Sequence, residues 1–166
     1  MKKAILTVMA LSLATTALAQ GQNLLVNPGF EEWVDDVPVG WASNGNPLTR
    51  SDDAHSGQAA LRIVAEGEHN RADVFQAEKT DLQPDTQYLA SVWAKGKGRL
   101  RIQLSQYDPA WVGGCSMLHA DLTEEWTEYR FFYGAVGDEI KSIRFDLYLG
   151  DVGAWAVIDD VSFTAI

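Results

Sequence analysis

The sequence predicts an all-β fold, a sandwich of two antiparallel sheets, from three observations. Short runs rich in Val, Ile, Phe, Tyr and Trp are separated by Gly, Pro, Asn and Asp, which is the pattern of strands and turns. Several runs alternate between apolar and polar residues, as strands buried on one face do. After the N-terminal leader, no run shows the apolar periodicity of an amphipathic helix. About seven or eight strands at this spacing are typical of a β-sandwich.

The leader itself has the anatomy of a secretory signal peptide. Lys2 and Lys3 are followed by a run of apolar and small residues, and Ala17–Ala19 is a small-x-small cleavage site. The apolar run is too short to span a bilayer, and no later run is long enough to do so. We therefore expect residues 1–19 to be a cleaved signal peptide and residues 20–166 to be one secreted domain, extracellular or periplasmic, without membrane insertion.

Seven runs within this domain are predicted as strands. In chain order they are Ala59–Ala65, Asp73–Lys79, Gln87–Lys95, Leu100–Tyr107, Thr127–Ala135, Ser142–Leu149 and Trp155–Thr164. Pro and Gly mark the turns between several of them, at Gln83-Pro84-Asp85, Lys95-Gly96-Lys97-Gly98, Gly137-Asp138 and Gly150-Asp151.

The alternation shows which side several strands bury. Leu100–Tyr107 and Ser142–Leu149 each carry an apolar set on one face and a polar set on the other, so the apolar sets should face the core. Thr127–Ala135 presents an aromatic face, with Glu128 and Arg130 on the opposite side. Gln87–Lys95 is apolar on both faces, which is typical of a central strand.

The charge of the chain excludes two classes of partner. The whole chain has 13 Lys and Arg against 23 Asp and Glu, a formal net charge of −10 at pH 7. Because two of the lysines lie in the leader, the mature domain keeps 11 basic residues and a charge of −12. Such a surface repels nucleic acid and anionic membranes, so neither is an expected partner.

No motif of a common enzyme class is present. The chain lacks a Gly-x-Ser-x-Gly elbow, a His-Glu-x-x-His pair and a phosphate loop. Asp159 and Asp160 are adjacent on a predicted strand, so their side chains point to opposite faces and cannot flank one glycosidic bond. The sequence therefore predicts a protein that is not an enzyme.

The single cysteine, Cys115, excludes an internal disulfide. It has two interpretations: a reactive thiol with His119 four residues away, or a small buried apolar side chain. The second is favoured because no basic cluster or helix start lies nearby to lower the pKa of the thiol.

An ordered set of landmarks runs through the domain. In chain order they are Asn23–Glu32 (NLLVNPGFEE), Pro38–Trp41 (PVGW), Ala54–Leu61 (AHSGQAAL), Leu82–Tyr88 (LQPDTQY), Ser91–Lys95 (SVWAK), Glu125–Trp126 (EW) and Ile158–Phe163 (IDDVSF). This set resembles the carbohydrate-binding modules of families 4, 9, 16 and 22. The resemblance covers nearly all of residues 20–166 and implies a jelly-roll sandwich of the galactose-binding-like type. It also implies that Trp41 and Trp126 belong to the core.

The function that the resemblance implies is binding of a polysaccharide or oligosaccharide. We expect a secreted, non-catalytic module that recognises a neutral glycan on a concave sheet face. The strongly acidic charge disfavours polyanionic glycans unless a local basic patch overrides it. Because a fold does not determine a function, the alternative is a structural or adhesive extracellular β-sandwich that contacts protein.

A structural calcium ion is also implied by the resemblance. Glu31 and Asp159 match the family's carboxylates near the first and last strands. Gly29 and the turn His55-Ser56-Gly57 could each supply a carbonyl oxygen, and Asp52 or Asp53 could supply a further carboxylate. Calcium prefers such a mixture of ligands. The alternative is that both carboxylates cap turns or pair with Lys and Arg. Calcium is favoured because acids from the two chain ends need a cation to come together.

The carbohydrate site is predicted on the polar faces of Leu100–Tyr107 and Ser142–Leu149. Sugar rings stack their C–H faces on aromatic rings and pair their hydroxyls with polar groups, and both kinds of side chain occur here. If the two strands are neighbours, their polar faces form one surface, beside an exposed Trp in the predicted loop Asp108–Gly114. The candidates are Gln103, Tyr107, Trp111, Arg144, Asp146 and Tyr148. Alternatively, the tyrosines are half-buried cross-strand partners and the Arg and Asp are a solvated charge pair.

Overall fold

The computed structural model describes residues 21–66, 71–134 and 140–166, and the strands in these ranges confirm the all-β prediction. The predicted signal peptide, residues 1–19, lies outside the described residues. The strands are β1 (Trp33–Val34), β2 (Val37–Pro38), β3 (Trp41–Ala42), β4 (Thr49–Ser51), β5 (Ala60–Val64), β6 (Ala72–Gln76), β7 (Thr80–Asp81), β8 (Gln87–Lys97), β9 (Arg99–Asp108), β10 (Ala110–Asp121), β11 (Thr127–Gly134), β12 (Ser142–Leu149) and β13 (Trp155–Ala165).

Two antiparallel sheets contain most of these strands. The six-stranded sheet has the order β10-β9-β12-β6-β3, with β7 also paired to β12. The five-stranded sheet has the order β11-β8-β13-β5-β4, and β1 and β2 form a separate small hairpin. From β5 onwards the chain passes repeatedly from one sheet to the other, so strands distant in sequence become neighbours. Strands β9 and β12 are one such pair.

The hydrophobic core lies between the two sheets. The apolar sets of β9 and β12, which include Ile102 and Phe145, are fully buried, as the alternation predicted. Strand β8 contributes Val92 from the facing sheet, and Tyr88 stacks on Phe163 with ring centroids 4.8 Å apart. Burial of this apolar surface is the main favourable contribution to folding.

Two tryptophans that the resemblance placed in the core behave differently. Trp41 is 2% exposed and packs against Phe30, which confirms its core position. Trp126 is only half-buried, because it precedes β11 at the edge of the five-stranded sheet. Its ring contacts His55 and Lys95 instead of the core, so that assignment was wrong.

Every predicted strand matches an observed one within three residues at each described end, but the long strand β10 was missed. Trp111, expected in a loop, lies on this strand. The two glycines of Gly113-Gly114 were interpreted as loop residues, whereas they occupy a register irregularity between Trp111 and Cys115, and Gly113 has a φ of +78°. Glycines inside a strand often mark such a bulge. Because β10 lies at a sheet edge, its apolar alternation is also weak.

Candidate functional site

The outer face of the six-stranded sheet brings the predicted site residues together. Strands β9 and β12 are direct neighbours, with Gln103 opposite Asp146 and Arg101 opposite Tyr148. Their polar sets therefore form one surface, as the sequence predicted for neighbouring strands. On the far side of β9, strand β10 places Trp111 opposite Tyr107.

A groove of about 200 Å³ lies on this surface and is hereafter called the groove. Its lining residues are Gln103, Ser105, Tyr107, Trp111, Cys115, Arg144 and Tyr148. Five of the six predicted candidates thus line one cavity, and the sixth, Asp146, lies beneath it. Ser105 belongs to the polar set of β9 and was identifiable by alternation, whereas Cys115 lies on the unpredicted strand.

The position of Cys115 contradicts the expectation of a buried side chain. The thiol is free and exposed. It lies opposite Ser105, on the outer face of the edge strand, so it borders the groove instead of the core.

A hydrogen-bonded network fixes the polar side chains of the groove. Asp146 is 1% exposed and accepts hydrogen bonds from the Ser105 hydroxyl and from Nε of Arg144, the latter at 2.6 Å. Nε2 of Gln103 donates to the Ser105 hydroxyl at 2.8 Å. The guanidinium of Arg144 also lies 4.3 Å from the ring centroid of Phe75. Arg144 is therefore held from below and from the side, which reduces the entropy lost when it binds a ligand.

The charges in this network follow from burial. Burial raises the pKa of Asp146, although its hydrogen bond from Ser105 and the charge of Arg144 lower it. For Arg144, burial acts to lower the pKa, but the neighbouring Asp146 carboxylate outweighs it and the pKa is raised. The pKa of Tyr148 is raised by burial and then by the charge of Asp146. At neutral pH, Arg144 is therefore cationic and Tyr148 carries a phenolic hydroxyl.

The aromatic side chains supply the apolar part of the groove. Trp111 is 65% exposed, which is unusual for so large an apolar side chain. Its register partner Tyr107 is half-buried, and Nζ of Lys79 lies 4.0 Å from the Tyr107 ring centroid. Exposed aromatic surface next to a polar groove is typical of a binding site.

The four predicted calcium ligands also converge, at a place away from the groove. Oε1 of Glu31 accepts hydrogen bonds from the backbone of Gln58 and Ala59, at 2.9 and 3.2 Å. Oδ2 of Asp159 accepts from the backbone N–H groups of His55 and Ser56, at 2.9 and 3.0 Å. These contacts join the first and last segments of the domain to the turn before β5.

Gly29 completes this cluster. A Cβ atom at this position would lie 3.7 Å from Oδ1 of both Asp159 and Asp160, and 3.9 Å from Cγ of Glu31. Acidic side chains from two distant parts of the chain therefore lie close to one glycine backbone.

The cluster fits calcium in its donor types. Asp159 is fully buried, and burial raises its pKa although three backbone N–H groups act in the opposite direction. Among the described residues, no Lys or Arg forms an ion pair with Glu31 or Asp159. The same ranges contain no group of three His, Cys, Asp or Glu side chains able to hold a metal. An ion here would therefore depend on backbone carbonyls near Gly29 and Ser56 as well as on carboxylates, a mixture that calcium accepts.

Comparison with known families and structures places this geometry in context. Residues 22–155 match the carbohydrate binding domain family CBM 4/9. No curated protein matches the chain by sequence.

Three solved structures illustrate the likeness of fold. A family 16 carbohydrate binding module has a TM-score of 0.66 and 22% identity, covering 86% of this chain and 99% of its own. The CBM22-1 xylan-binding domain of Paenibacillus barcinonensis Xyn10C has a TM-score of 0.65 and 16% identity, covering 89% and 96%. TmCBM61, solved in complex with β-1,4-galactotriose, has a TM-score of 0.60 and 18% identity, covering 87% and 99%. At these identities the likeness concerns the fold.

Proposed function

The chain belongs to the carbohydrate binding domain family, and from this premise we propose that it binds a neutral glycan chain in the groove. Family membership and the shared jelly-roll fold confirm the resemblance seen in the sequence. They support a carbohydrate-binding role. The location of the site, the neutral ligand and the lack of catalysis are our proposals.

One observation carries the location: the groove combines an exposed tryptophan ring and half-buried tyrosine rings with polar groups that are already held in place. Trp111 and Tyr107 offer ring faces on which a pyranose can stack. Arg144 and Gln103 offer N–H donors beside them, and both are anchored to the network around the buried Asp146. Prepositioned groups of this kind suit a ligand rich in hydroxyls, because little side-chain entropy remains to be lost.

The position of the carboxyl groups relative to the groove favours binding without hydrolysis. Glycoside hydrolysis generally uses two carboxyl groups on either side of the scissile bond. Within the described part of the chain, the groove lining contains no Asp or Glu, and both oxygens of the underlying Asp146 accept hydrogen bonds from neighbours. We therefore propose a non-catalytic module.

The structural neighbours suggest which glycans to test first. One is described as xylan-binding and another was solved with β-1,4-galactotriose. Both names refer to β-linked neutral chains, so β-1,4-xylan, β-1,4-galactan and a β-glucan form a suitable first panel.

We also propose that the protein is secreted. The leader, residues 1–19, has the signal anatomy described above. Across 21–66, 71–134 and 140–166, the structure contains no helix that is long and apolar enough to cross a membrane. Mass spectrometry of material recovered outside the cytoplasm should give an N-terminus near Gln20, and an intact Met1 would contradict the proposal.

A structural calcium ion completes the proposed function. Glu31 and Asp159 would supply carboxylate oxygens, and Gly29 and Ser56 would supply backbone carbonyls. The ion would then neutralise the carboxylates and hold the first and last segments together, so its role would be stability and not ligand recognition.

Affinity electrophoresis of residues 20–166 through gels containing each polysaccharide tests the binding site. We expect at least one glycan to retard the wild type, and Trp111→Ala to lose most of the retardation. Phe132→Ala is a matched control, because Phe132 is a 74% exposed aromatic on β11 of the other sheet. If Phe132→Ala loses retardation and Trp111→Ala does not, the site is elsewhere. If no glycan retards the wild type, the adhesive alternative gains.

A further inference from the structure

A second cavity lies on the same face of the six-stranded sheet, beyond Tyr148. Its volume is about 300 Å³. The residues that line it are Arg71, Arg99, Arg101, His119, Tyr148, Leu149, Gly150 and Asp151. We call it the basic pocket, because three of its eight lining residues are arginines.

This concentration of positive charge contrasts with the chain as a whole, whose net charge is −10. The nearby acids offset it only in part. Asp151 accepts a hydrogen bond from the backbone N–H of Arg99 at 3.2 Å, and Asp121 pairs with Nε of Arg99 at 2.8 Å. No ion pair of Arg71 or Arg101 occurs among the described residues. The pocket is therefore locally cationic in an acidic protein.

Arg101 provides a second and independent observation. Its guanidinium carbon lies 4.2 Å from the ring centroid of Tyr148, so the group is stacked on the ring. Its Nε is buried and has no hydrogen-bond partner in the part of the chain that the structure describes. Buried donors are nearly always satisfied, and a charged donor loses more than a neutral one when it lacks an acceptor. An incoming acceptor would remove this cost.

The basic pocket is continuous with the groove. Tyr148 lines both cavities. His119, Arg101 and Tyr148 lie opposite one another across three strands. The neighbouring row of the groove, with Gln103 and Asp146, is two residues away along the same strands, or about 7 Å. A glycan that lies across Tyr148 can therefore place a substituent in the pocket.

We propose that the basic pocket binds the carboxylate of a uronic acid unit on the glycan held in the groove. The proposal rests on the proposed function, since the groove must hold the chain that carries the acid. A planar carboxylate matches the forked donors of arginine, which bind both of its oxygens. The ligand is thus a mostly neutral glycan with sparse acidic units, because the remaining acidic surface repels a densely charged polymer.

The test uses two forms of one polymer. For a xylan, the charged form is glucuronic-acid-bearing xylan, and the neutral control is the same polymer after chemical reduction of its carboxyl groups to alcohols. For a hexose polymer, the charged form is made by oxidising a small share of the C6 alcohols to carboxylates. We expect the wild type to bind the charged form about tenfold more tightly, the scale of one charge-assisted interaction. The preference should decrease in high salt.

The protein variants locate the effect. Arg71→Gln with Arg99→Gln removes two exposed charges outside the groove, and should weaken the preference while leaving affinity for the neutral form unchanged. Arg101→Lys keeps the charge but not the fork, and should reduce the preference. Arg130→Gln is the control, because its exposed cation lies on β11 of the other sheet. It should leave the preference intact.

The outcomes separate this inference from the proposed function. Equal affinity for the charged and neutral forms would overturn the uronate inference while leaving neutral glycan binding in place. A preference that is undiminished in the Arg71 and Arg99 double variant, or disappears in Arg130→Gln, would also overturn it. Failure to bind either form of any polymer would remove the proposed function and this inference with it.

Discussion

Two buried carboxylates, Asp146 and Asp159, lie in different sheets and have different roles although their burial is nearly the same. Their exposed fractions are 1% and 0%, and burial raises the pKa of both. Asp146 is satisfied by side chains, the hydroxyl of Ser105 and the guanidinium of Arg144. Asp159 is satisfied by the backbone N–H groups of His55, Ser56 and Asp160.

The different hydrogen-bond donors show what each carboxylate holds in place. A carboxylate held by side chains orients those side chains, so Asp146 positions Arg144 at the edge of a ligand groove. A carboxylate held by backbone groups fixes loops, so Asp159 ties the turn before β5 to the last strand. Changes at Asp159 should therefore affect mainly stability, and changes at Asp146 should affect mainly binding.

The largest expected effect is on stability, from Asp159→Ala. The substitution removes the acceptor for three backbone N–H groups, and buried donors left unpaired are costly. In chelator, we expect the free energy of unfolding to decrease by about 3 kcal/mol, which lowers the melting temperature by on the order of 10 °C. Asp52→Ala is the control, because Asp52 is 87% exposed and its pair with Arg50 is solvated. Equal melting temperatures for the two variants would contradict the role of Asp159.

Calcium should have the next largest effect. An ion that binds only the folded state stabilises it by about 2.7 kcal/mol at a concentration one hundred times its dissociation constant. Thermal melts in calcium and in chelator should therefore differ for the wild type. The response should disappear in Glu31→Gln, which keeps the size of the side chain but not its charge. A wild-type melting curve that is the same in both solutions would refute the calcium site.

The comparison also shows which features could be predicted from sequence. Alternation in β9 and β12 identified their buried faces. Because the two strands are neighbours, their opposite, polar faces together form the surface of the groove. The sequence could not show that Asp146 lies beneath the groove, because alternation assigns a face and not a depth. Asp146 is 1% exposed, and the Arg144 side chain that pairs with it also lies against Phe75 on β6. The basic pocket could not be predicted from the sequence either. Arg71 directly precedes β6 and His119 lies on β10, strands that are distant in sequence and separated in the sheet by β9 and β12.

Removing an aromatic ring from the groove should have a smaller effect, on the free energy of glycan binding. By analogy with the stacking of bases on aromatic side chains, removing one ring should cost roughly 2 kcal/mol of binding free energy. This corresponds to an affinity loss of more than tenfold. We expect Tyr107→Ala and Tyr148→Ala each to lower retardation by the glycan that binds best, with little effect on the circular dichroism spectrum. If both variants migrate with the wild type in that gel, the rings do not contact the ligand.

The smallest expected effect is that of Asp146→Asn on glycan affinity. The substitution preserves the shape of the side chain but removes the charge that holds Arg144, so Arg144 gains freedom that ligand binding must remove. We expect affinity at neutral pH to decrease about fivefold, or about 1 kcal/mol. Affinity electrophoresis measures it, and an unchanged affinity would show that the charge does not position Arg144.

The pH dependence of binding tests the same carboxylate without a substitution. Because burial raises the pKa of Asp146, its carboxyl takes up a proton at a higher pH in the folded protein than in the unfolded chain. Affinity should therefore decrease as the pH falls through this raised pKa.

The contribution of Asp146 to folding stability changes in the opposite direction. Between the ordinary and the raised pKa, the folded state holds more protons than the unfolded state, so a lower pH increases the free energy of unfolding. Weaker binding in that window is thus not explained by unfolding driven by Asp146. The nearby Arg144 and Tyr148 keep their protons there, and Asp146→Asn isolates the effect of this one carboxyl. Gels run from about pH 7 down to about pH 4 should show a wild-type decrease that the Asn variant lacks, and parallel curves would contradict the assignment.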